Sequence, residues 1–292
     1  MPDTVVAADT PRVAVYLDFD NIVISRYDQV HGRNSFQKDK GRGLEKDKLT
    51  KATVDIGAII DFASSFGTLV LTRAYADWSA DVNADYQSQL VGRAVDLVQL
   101  FPAAAYGKNG ADIRLAVDAV EDMFRLPDLT HVVIVGGDSD YIALAQRCKR
   151  LGRYVVGIGV AGASSRSLAA ACDEFVTYDA LPGIPTAAPP PKKATKRAKS
   201  RAPDDEPEPA DPQAAATGLL ERALRIGHEK DDADWLHNSA VKAQMKRMDP
   251  SFSEKSLGFR SFSDFLRSRS DVADLDESST TRMVRLHKEE DP

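Results

Sequence analysis

Cysteine and histidine are scarce in this 292-residue chain, with two of the first and five of the second. Cys148 and Cys172 are not spaced as ligands, so they are expected to be reduced core thiols, not a disulfide or a metal site. The histidines are scattered, which leaves no basis for a zinc site. Long apolar runs are also lacking: none reaches the roughly 20 residues that a membrane-spanning helix needs. The opening stretch "MPDTVVAADTPRVAVYLDFDN" has no basic segment ahead of an apolar one, so a cytoplasmic protein is expected. Positive charge is in deficit, 38 Lys and Arg against 44 Asp and Glu, for a net charge of −6. That argues against bulk electrostatic capture of nucleic acid, although a local basic patch can still hold phosphate. No internal repeat of solenoid period is visible.

What the chain does contain is a regular alternation over residues 1–181. The apolar runs "RVAVYLDF", "TLVLTRAYA", "VDLVQLF", "HVVIVGG", "YVVGIG" and "EFVTY" read as strands. Helical stretches lie between most of them, including "DKLTKATVDIGAIIDFASSF", "GADIRLAVDAVEDMF" and "DYIALAQRCKRLG". Strand–helix alternation predicts an α/β fold with a parallel sheet covered on both faces. In such sheets a ligand sits beyond the carboxyl ends of the strands. Residues 182–213 are rich in Pro, Ala and charge without apolar periodicity, and are expected to form a disordered linker. Residues 214–292 read as helices followed by a hairpin with its turn near Glu277–Thr280, the pattern of a small winged helix-turn-helix domain.

Acidic residues gather where the strands end. Asp18, Asp20 and Asn21 close the first strand, Asp138 and Asp140 follow a later one, and Asp112 opens a helix. Carboxylates brought to one sheet rim repel each other unless something neutralises them. Oxygen ligands without cysteine or histidine favour Mg²⁺ or Mn²⁺. The alternative is helix capping by Asp138, Ser139 or Asp112. Asp118 lies six residues beyond Asp112, about 120° around a helix, and ranks below the others. Asp20 alternates with Asp18 and should point the other way, which leaves Asn21 as the polar neighbour of Asp18. The two glycines before Asp138 are expected to let backbone and substrate approach.

Residues 26–51 read as a polar loop carrying Arg33, Lys38, Lys40, Arg42, Lys46 and Lys48. It is either a solvated insertion or a cationic arm that holds phosphates beside the acidic rim, and Lys108 could add a further phosphate contact. Two other patterns compete. "DFD" at a first strand end suggests a haloacid-dehalogenase-type phosphatase, with Thr72 as its hydroxyl, but Asn21 and the missing lysine motif fit poorly. "GIGVAG" matches a dinucleotide-binding fingerprint in form, yet one strand remains after it, so it reads as a tight strand–helix turn.

Taken together, "LDFDN", "KNGADIRLAVDAV", "GGDSDYIALAQRCKRLGRYVVGIG" and "EFVTYD" resemble the NYN branch of PIN-like nucleases over residues 11–179. The resemblance implies a PIN-like three-layer α/β/α fold and metal-dependent ribonuclease chemistry. It makes Asp18, Asp112, Asp138 and Asp140 the acidic set, supported by Asn21. The long basic loop and Asp20 depart from that pattern. The C-terminal part, through "DPSFSEKSLGFRSFSDFLRSR" and the hairpin, looks like a LOTUS (OST-HTH) domain, which implies binding of RNA or of a protein partner. Its Phe252, Leu257, Phe259, Phe262 and Phe265 are expected in the core. Lys255, Arg260, Arg267 and Arg269 are expected to be exposed for RNA backbone contact. From residue 214 onward 13 basic residues face 15 acidic ones, so any RNA affinity must come from one face. The expected chemistry is metal-assisted hydrolysis of an RNA phosphodiester that leaves a 5′-phosphate. The rival from another class is a non-catalytic RNA- or nucleotide-binding adaptor whose acidic rim holds a structural cation.

Overall fold

Each apolar run read as a strand forms one, and the six share a single parallel sheet. The computed structural model describes residues 10–101, 110–184, 211–231, 233–278 and 281–287. The strands are β1 (Arg12–Asp18), β2 (Thr68–Ala76), β3 (Asp96–Gln99), β4 (His131–Val135), β5 (Tyr154–Gly159) and β6 (Glu174–Thr177). They lie in the order β3-β2-β1-β4-β5-β6, and every neighbouring pair is parallel. The chain winds outward from β1 in one direction and from β4 in the other. The carboxyl ends of β1 and β4 therefore flank the switch point where doubly wound sheets open a crevice.

Alternation along the strands sorts the core into two layers. Val13, Val15 and Leu17 pack with Val133, Val135, Val156 and Ile158 on one face. That face is covered by α1 (Phe19–His31), α4 (Ile56–Ser64) and α6 (Gln87–Gly92). Ala14, Tyr16, Val132, Ile134 and Val155 point to the other face, beneath α7 (Gly110–Arg125), α8 (Ile142–Arg150) and α9 (Arg166–Ala171). This is the PIN-like three-layer α/β/α arrangement. Cys148 and Cys172 are free and buried in the second layer, where burial pushes both thiols up to about 12. Among the described residues no helix is long and apolar enough to cross a membrane.

The polar loop expected over residues 26–51 is instead largely helical. α1 continues to His31, and α2 (Ser35–Lys40) and α3 (Lys46–Lys51) follow. Ile22, Val23, Arg26 and Tyr27 recur at helical spacing and are buried. Tyr27, Phe36 and Ala52 then form a small core of their own. Lys48 is paired with Asp39 at 2.9 Å, and Tyr27 donates its hydroxyl to the same carboxylate at 2.8 Å. The helix expected over residues 47–66 is also divided. Asp55 caps α4 by accepting the Ala58 N–H, and the Val54 and Asp55 N–H groups go to the Tyr86 and Tyr178 hydroxyls. The short α5 (Asp81–Ala84) follows β2.

The second compact unit contains α10 (Pro212–Asp231), β7 (Leu236–His237), α11 (Asn238–Met248), α12 (Phe262–Arg267), β8 (Ala273–Asp276) and β9 (Met283–Leu286). α10 begins inside the stretch read as linker. The three strands form an antiparallel sheet in the order β7-β9-β8, so the expected hairpin gains a third strand. Phe252, Phe262 and Phe265 are buried with Leu220, Met245 and Val284, and Leu257 and Phe259 pack against them. Of residues 253–269 only α12 is helical. Gly258 takes φ +92°, which an α-helix excludes, and Ser261 then caps a fresh start by accepting the Asp264 N–H.

Candidate metal centre

The site begins with a turn in the chain. Asp18 ends β1 and caps α1, with Oδ1 accepting the Asn21 N–H at 3.1 Å. Asn21 accepts the Gly137 N–H at 3.1 Å through its side-chain oxygen, which ties the start of α1 to the end of β4. Beyond β4, Asp138 caps the 3₁₀ turn Ser139–Tyr141, with Oδ1 accepting the Asp140 N–H at 3.2 Å. Ser139 lies beside it, Oγ to Oδ1 3.4 Å. The turn leaves Asp140 exposed and buries Tyr141 completely.

Tyr141 is the hub. Its hydroxyl oxygen lies 2.8 Å from Asp18 Oδ2 and 2.7 Å from Asp112 Oδ1. A phenol has one proton to donate. Both contacts are hydrogen bonds only when one of the two carboxyls also carries a proton. Burial pushes Asp18 up to about 7 against the lowering effect of the Tyr141 and Asn21 hydrogen bonds, and the charges of Asp112 and Asp20 raise it further. Burial also raises Asp112, which Tyr141 lowers and the Asp138 and Asp140 charges raise again. The Tyr141 phenol is driven far above its usual range by burial and by the two carboxylates.

On the open side, one carboxylate oxygen from each of Asp112, Asp138 and Asp140 lies within 4.8 Å of the others. This is the one such acidic group among the described residues. Its chemistry fits a hard divalent cation: oxygen donors only, two half-buried and one exposed, at the mouth of the switch-point crevice. The other buried acids of α7 are neutralised differently. Asp118 takes Arg114 Nε at 2.9 Å and the Tyr75 hydroxyl at 3.1 Å. Asp122 takes Arg73 at 2.5 Å and the Tyr16 hydroxyl at 3.1 Å. Asp112 has the neutral Tyr141 hydroxyl where they have a guanidinium.

Several expectations change in detail. Asp18 is 4 % exposed, lies against Asp112 and shares the Tyr141 hydroxyl with it, and is not one of the three clustered carboxylates. Asp20 does face away, but as a residue of α1 and not of the strand: it accepts from Asn83 Nδ2 at 2.6 Å and the Asp77 N–H at 3.3 Å. The glycines make room for close approach by other parts of the protein. A Cβ on Gly136 would lie 3.1 Å from the Tyr141 ring, and one on Gly137 would lie 3.0 Å from Ser164 Oγ. The phosphatase reading loses its parts, because Asp18 and Asp20 serve separate networks and Thr72 sits mid-strand, paired in register with Val15. "GIGVAG" does form a strand–helix turn, from β5 to the Ser165 cap of α9.

Arg33, Lys38, Lys40 and Arg42 are exposed. Lys40 lies close enough to Asp77, just past β2, to contribute to holding that carboxyl below its usual range; Ser79 and Gln99 are the larger causes. α2 thus comes near the end of β2. Lys108 lies outside the described residues. In the C-terminal unit Lys255, Arg260 and Arg267 are exposed as expected, and Arg267 is also paired with Asp264 and Glu277 at 2.5 and 2.8 Å. Arg269 is a correction. It bonds Thr217 and Gln213 of α10 and lies over the Phe259 and Phe265 rings, so it joins elements of the unit.

The NYN domain profile matches residues 12–179, more than half of the chain. The chain belongs to the NYN family. An OST-HTH/LOTUS domain profile matches residues 208–285. The NYN domain is part of the PIN-like nuclease superfamily, whose members usually use divalent metals, and LOTUS domains point to RNA binding. No curated protein matches the chain. Among solved structures, the Vibrio parahaemolyticus RIMD 2210633 protein of unknown function VPA0982 is 20 % identical, with a TM-score of 0.44. That similarity covers 59 % of this chain and 94 % of the other. An uncharacterized protein from locus NE0665 of Nitrosomonas europaea is 21 % identical over 34 % of this chain and 97 % of its own, with a TM-score of 0.22.

Tyr141 was missed as a site residue, although it stands in the quoted "GDSDY". Spacing showed the acids, but not which side chain the 3₁₀ turn would drive between them. Tyr141→Phe should leave Asp18 and Asp112 facing each other without the hydroxyl, costing about 1–2 kcal/mol of stability. By misplacing Asp112 it should slow any metal-dependent reaction ~10- to 100-fold. Denaturant titration and single-turnover rates check the two effects separately; a fully active variant would remove Tyr141 from the site.

Proposed function

We propose that the NYN domain is a Mg²⁺- or Mn²⁺-dependent ribonuclease, with the LOTUS domain as a tethered module that brings RNA or a protein partner to it. The observation that carries this reading is the convergence of Asp112, Asp138 and Asp140 within 4.8 Å at the switch point of the sheet. These three residues would hold the cation, and the buried Asp18 would support Asp112, which it contacts directly and through the shared Tyr141 hydroxyl. When bound, the cation supplies Lewis-acid polarisation of a phosphoryl oxygen and an activated water. Tyr141 fixes the direction of the Asp112 carboxylate, and Asn21 holds the start of α1 against the end of β4. Lys38, Lys40, Arg42 and Arg33, all exposed, would meet RNA phosphates beside the NYN site, and the exposed Lys255 and Arg260 would meet them on the LOTUS domain. Tethering raises the local RNA concentration without altering the chemistry.

The test uses the full chain and end-labelled single-stranded RNA, with Mg²⁺, Mn²⁺ or EDTA. Cleavage in either metal, none in EDTA, and 5′-phosphate ends on the products are expected. RNA bound but uncut in every metal would make the protein an adaptor.

A further inference from the structure

α7 carries two apolar faces. The inner one, Leu115, Ala119 and Met123, is buried against the sheet. Among the described residues the outer one is left open: Ile113 is 65 % exposed, Val117 57 % and Phe124 65 %, with Val120 between them, partly buried and packed also against the inner layer. The spacings of four, three and four residues are those of a coiled-coil seam. A solvated helix face carries charge at such positions.

The seam is complementary to itself. When the helix is laid antiparallel on a copy, Ile113 meets Phe124 and Val117 meets Val120, and the same pairs recur about the two-fold axis. An isologous interface requires that relation of a single surface. The flanking charges agree: Arg114 of each copy comes opposite Glu121 of the other, along one edge of the seam. In the single chain Asp118 grips Arg114 by Nε, and the Arg114 side chain is otherwise 59 % exposed. Glu121 is only loosely paired, 3.7 Å from Arg125, and is 61 % exposed.

We propose that this face binds a second copy of the chain, forming a two-fold dimer through antiparallel α7 helices. Asp112 lies one residue before the seam. The two acidic centres would therefore sit at opposite ends of it, about 20 Å apart along the helix axis at 1.5 Å per residue.

Sedimentation of the full chain across a concentration series should show a dimer. Ile113→Glu with Phe124→Glu should weaken dimerisation at least tenfold, with an unchanged circular dichroism spectrum because both side chains are exposed. Glu121→Arg, which sets like charges opposite Arg114, should weaken it several-fold. Cysteine cross-linking reads the register, since both native cysteines are buried. Val117→Cys should couple to itself through a short bis-maleimide. Ile113→Cys should couple to Phe124→Cys on a second copy, and not to itself across about 16 Å of helix. A monomer at every concentration, a dimer indifferent to the glutamates, or Ile113→Cys joining to itself would each overturn the proposal, as would a chain that associates only when a different protein is added.

Discussion

Asparagine in place of Asp138, or of Asp112, is expected to slow RNA cleavage by about three orders of magnitude, on the order of 4 kcal/mol of transition-state stabilisation. The substitution keeps the side-chain volume and one acceptor oxygen, and removes only the charge. For Asp138 this separates two roles that its position allows. As a cap of the 3₁₀ turn, Asp138 accepts the Asp140 N–H, and asparagine caps as well as aspartate does. If capping were its whole role, Asp138→Asn would cut RNA normally. As one of three clustered carboxylates, it cannot lose its charge without weakening the hold on a cation. Asp118→Asn is the matched control on α7. Its carboxylate faces Arg114 and Tyr75, outside the cluster, so the change should cost stability and leave the cleavage rate within a few-fold of wild type. Single-turnover rates over a Mn²⁺ titration, paired with thermal midpoints in EDTA, make the comparison. High Mn²⁺ should restore part of the rate to the Asp138 and Asp112 variants. Rates within tenfold of wild type in both would sink the metal-centre reading.

The parts of the site that were legible in the sequence are those fixed by chain direction. Parallel strands send their carboxyl ends to one rim, so Asp18 and Asp138 had to lie on the same rim, and α7 starts where Asp112 stands. Side-chain direction was the part that could not be read. Whether Asp18 faces the opening or Tyr141 depends on a 3₁₀ turn of three residues, which leaves no periodic trace. The basic segment misled for a related reason. Lys38, Lys40 and Lys46 are exposed on α2 and α3, and Arg33 and Arg42 on the turns beside α2, and this charge hides the few apolar contacts, Tyr27, Phe36 and Leu49, that hold the segment down. Arg269 shows the same limit in the C-terminal unit. Its charge suggested solvent, but its long side chain packs over two phenylalanine rings.

Without a divalent ion, the protein should lose stability as the pH rises from about 5 to 8, and Asp18→Asn should abolish most of that loss. Asp18 is raised from 3.8 to about 7 by burial, so the folded chain binds its proton more tightly than the unfolded chain does. A group shifted in that direction contributes its full stabilisation below its unfolded value, and the contribution disappears as pH rises through the folded one. The window thus runs upward to about pH 7, and the loss across it is on the order of 2–3 kcal/mol. Asp112 is shifted the same way and adds to the same sign. The cause is visible in the hydrogen bonds: the single proton of Tyr141 serves two carboxylates 2.8 and 2.7 Å away, and deprotonating both leaves one of them without the phenol proton and sets two like charges against each other. An asparagine at residue 18 can accept the Asn21 N–H through its oxygen and donate its amide to the Tyr141 oxygen, which frees the phenol proton for Asp112. Urea titrations in EDTA at several pH values measure the difference between wild type and Asp18→Asn. Mn²⁺ should flatten the wild-type dependence, because a cation beside Asp112 favours the deprotonated forms. Equal slopes for the two proteins in EDTA would mean that Asp18 is already ionised in the fold, and that its burial behind Tyr141 does not hold a proton.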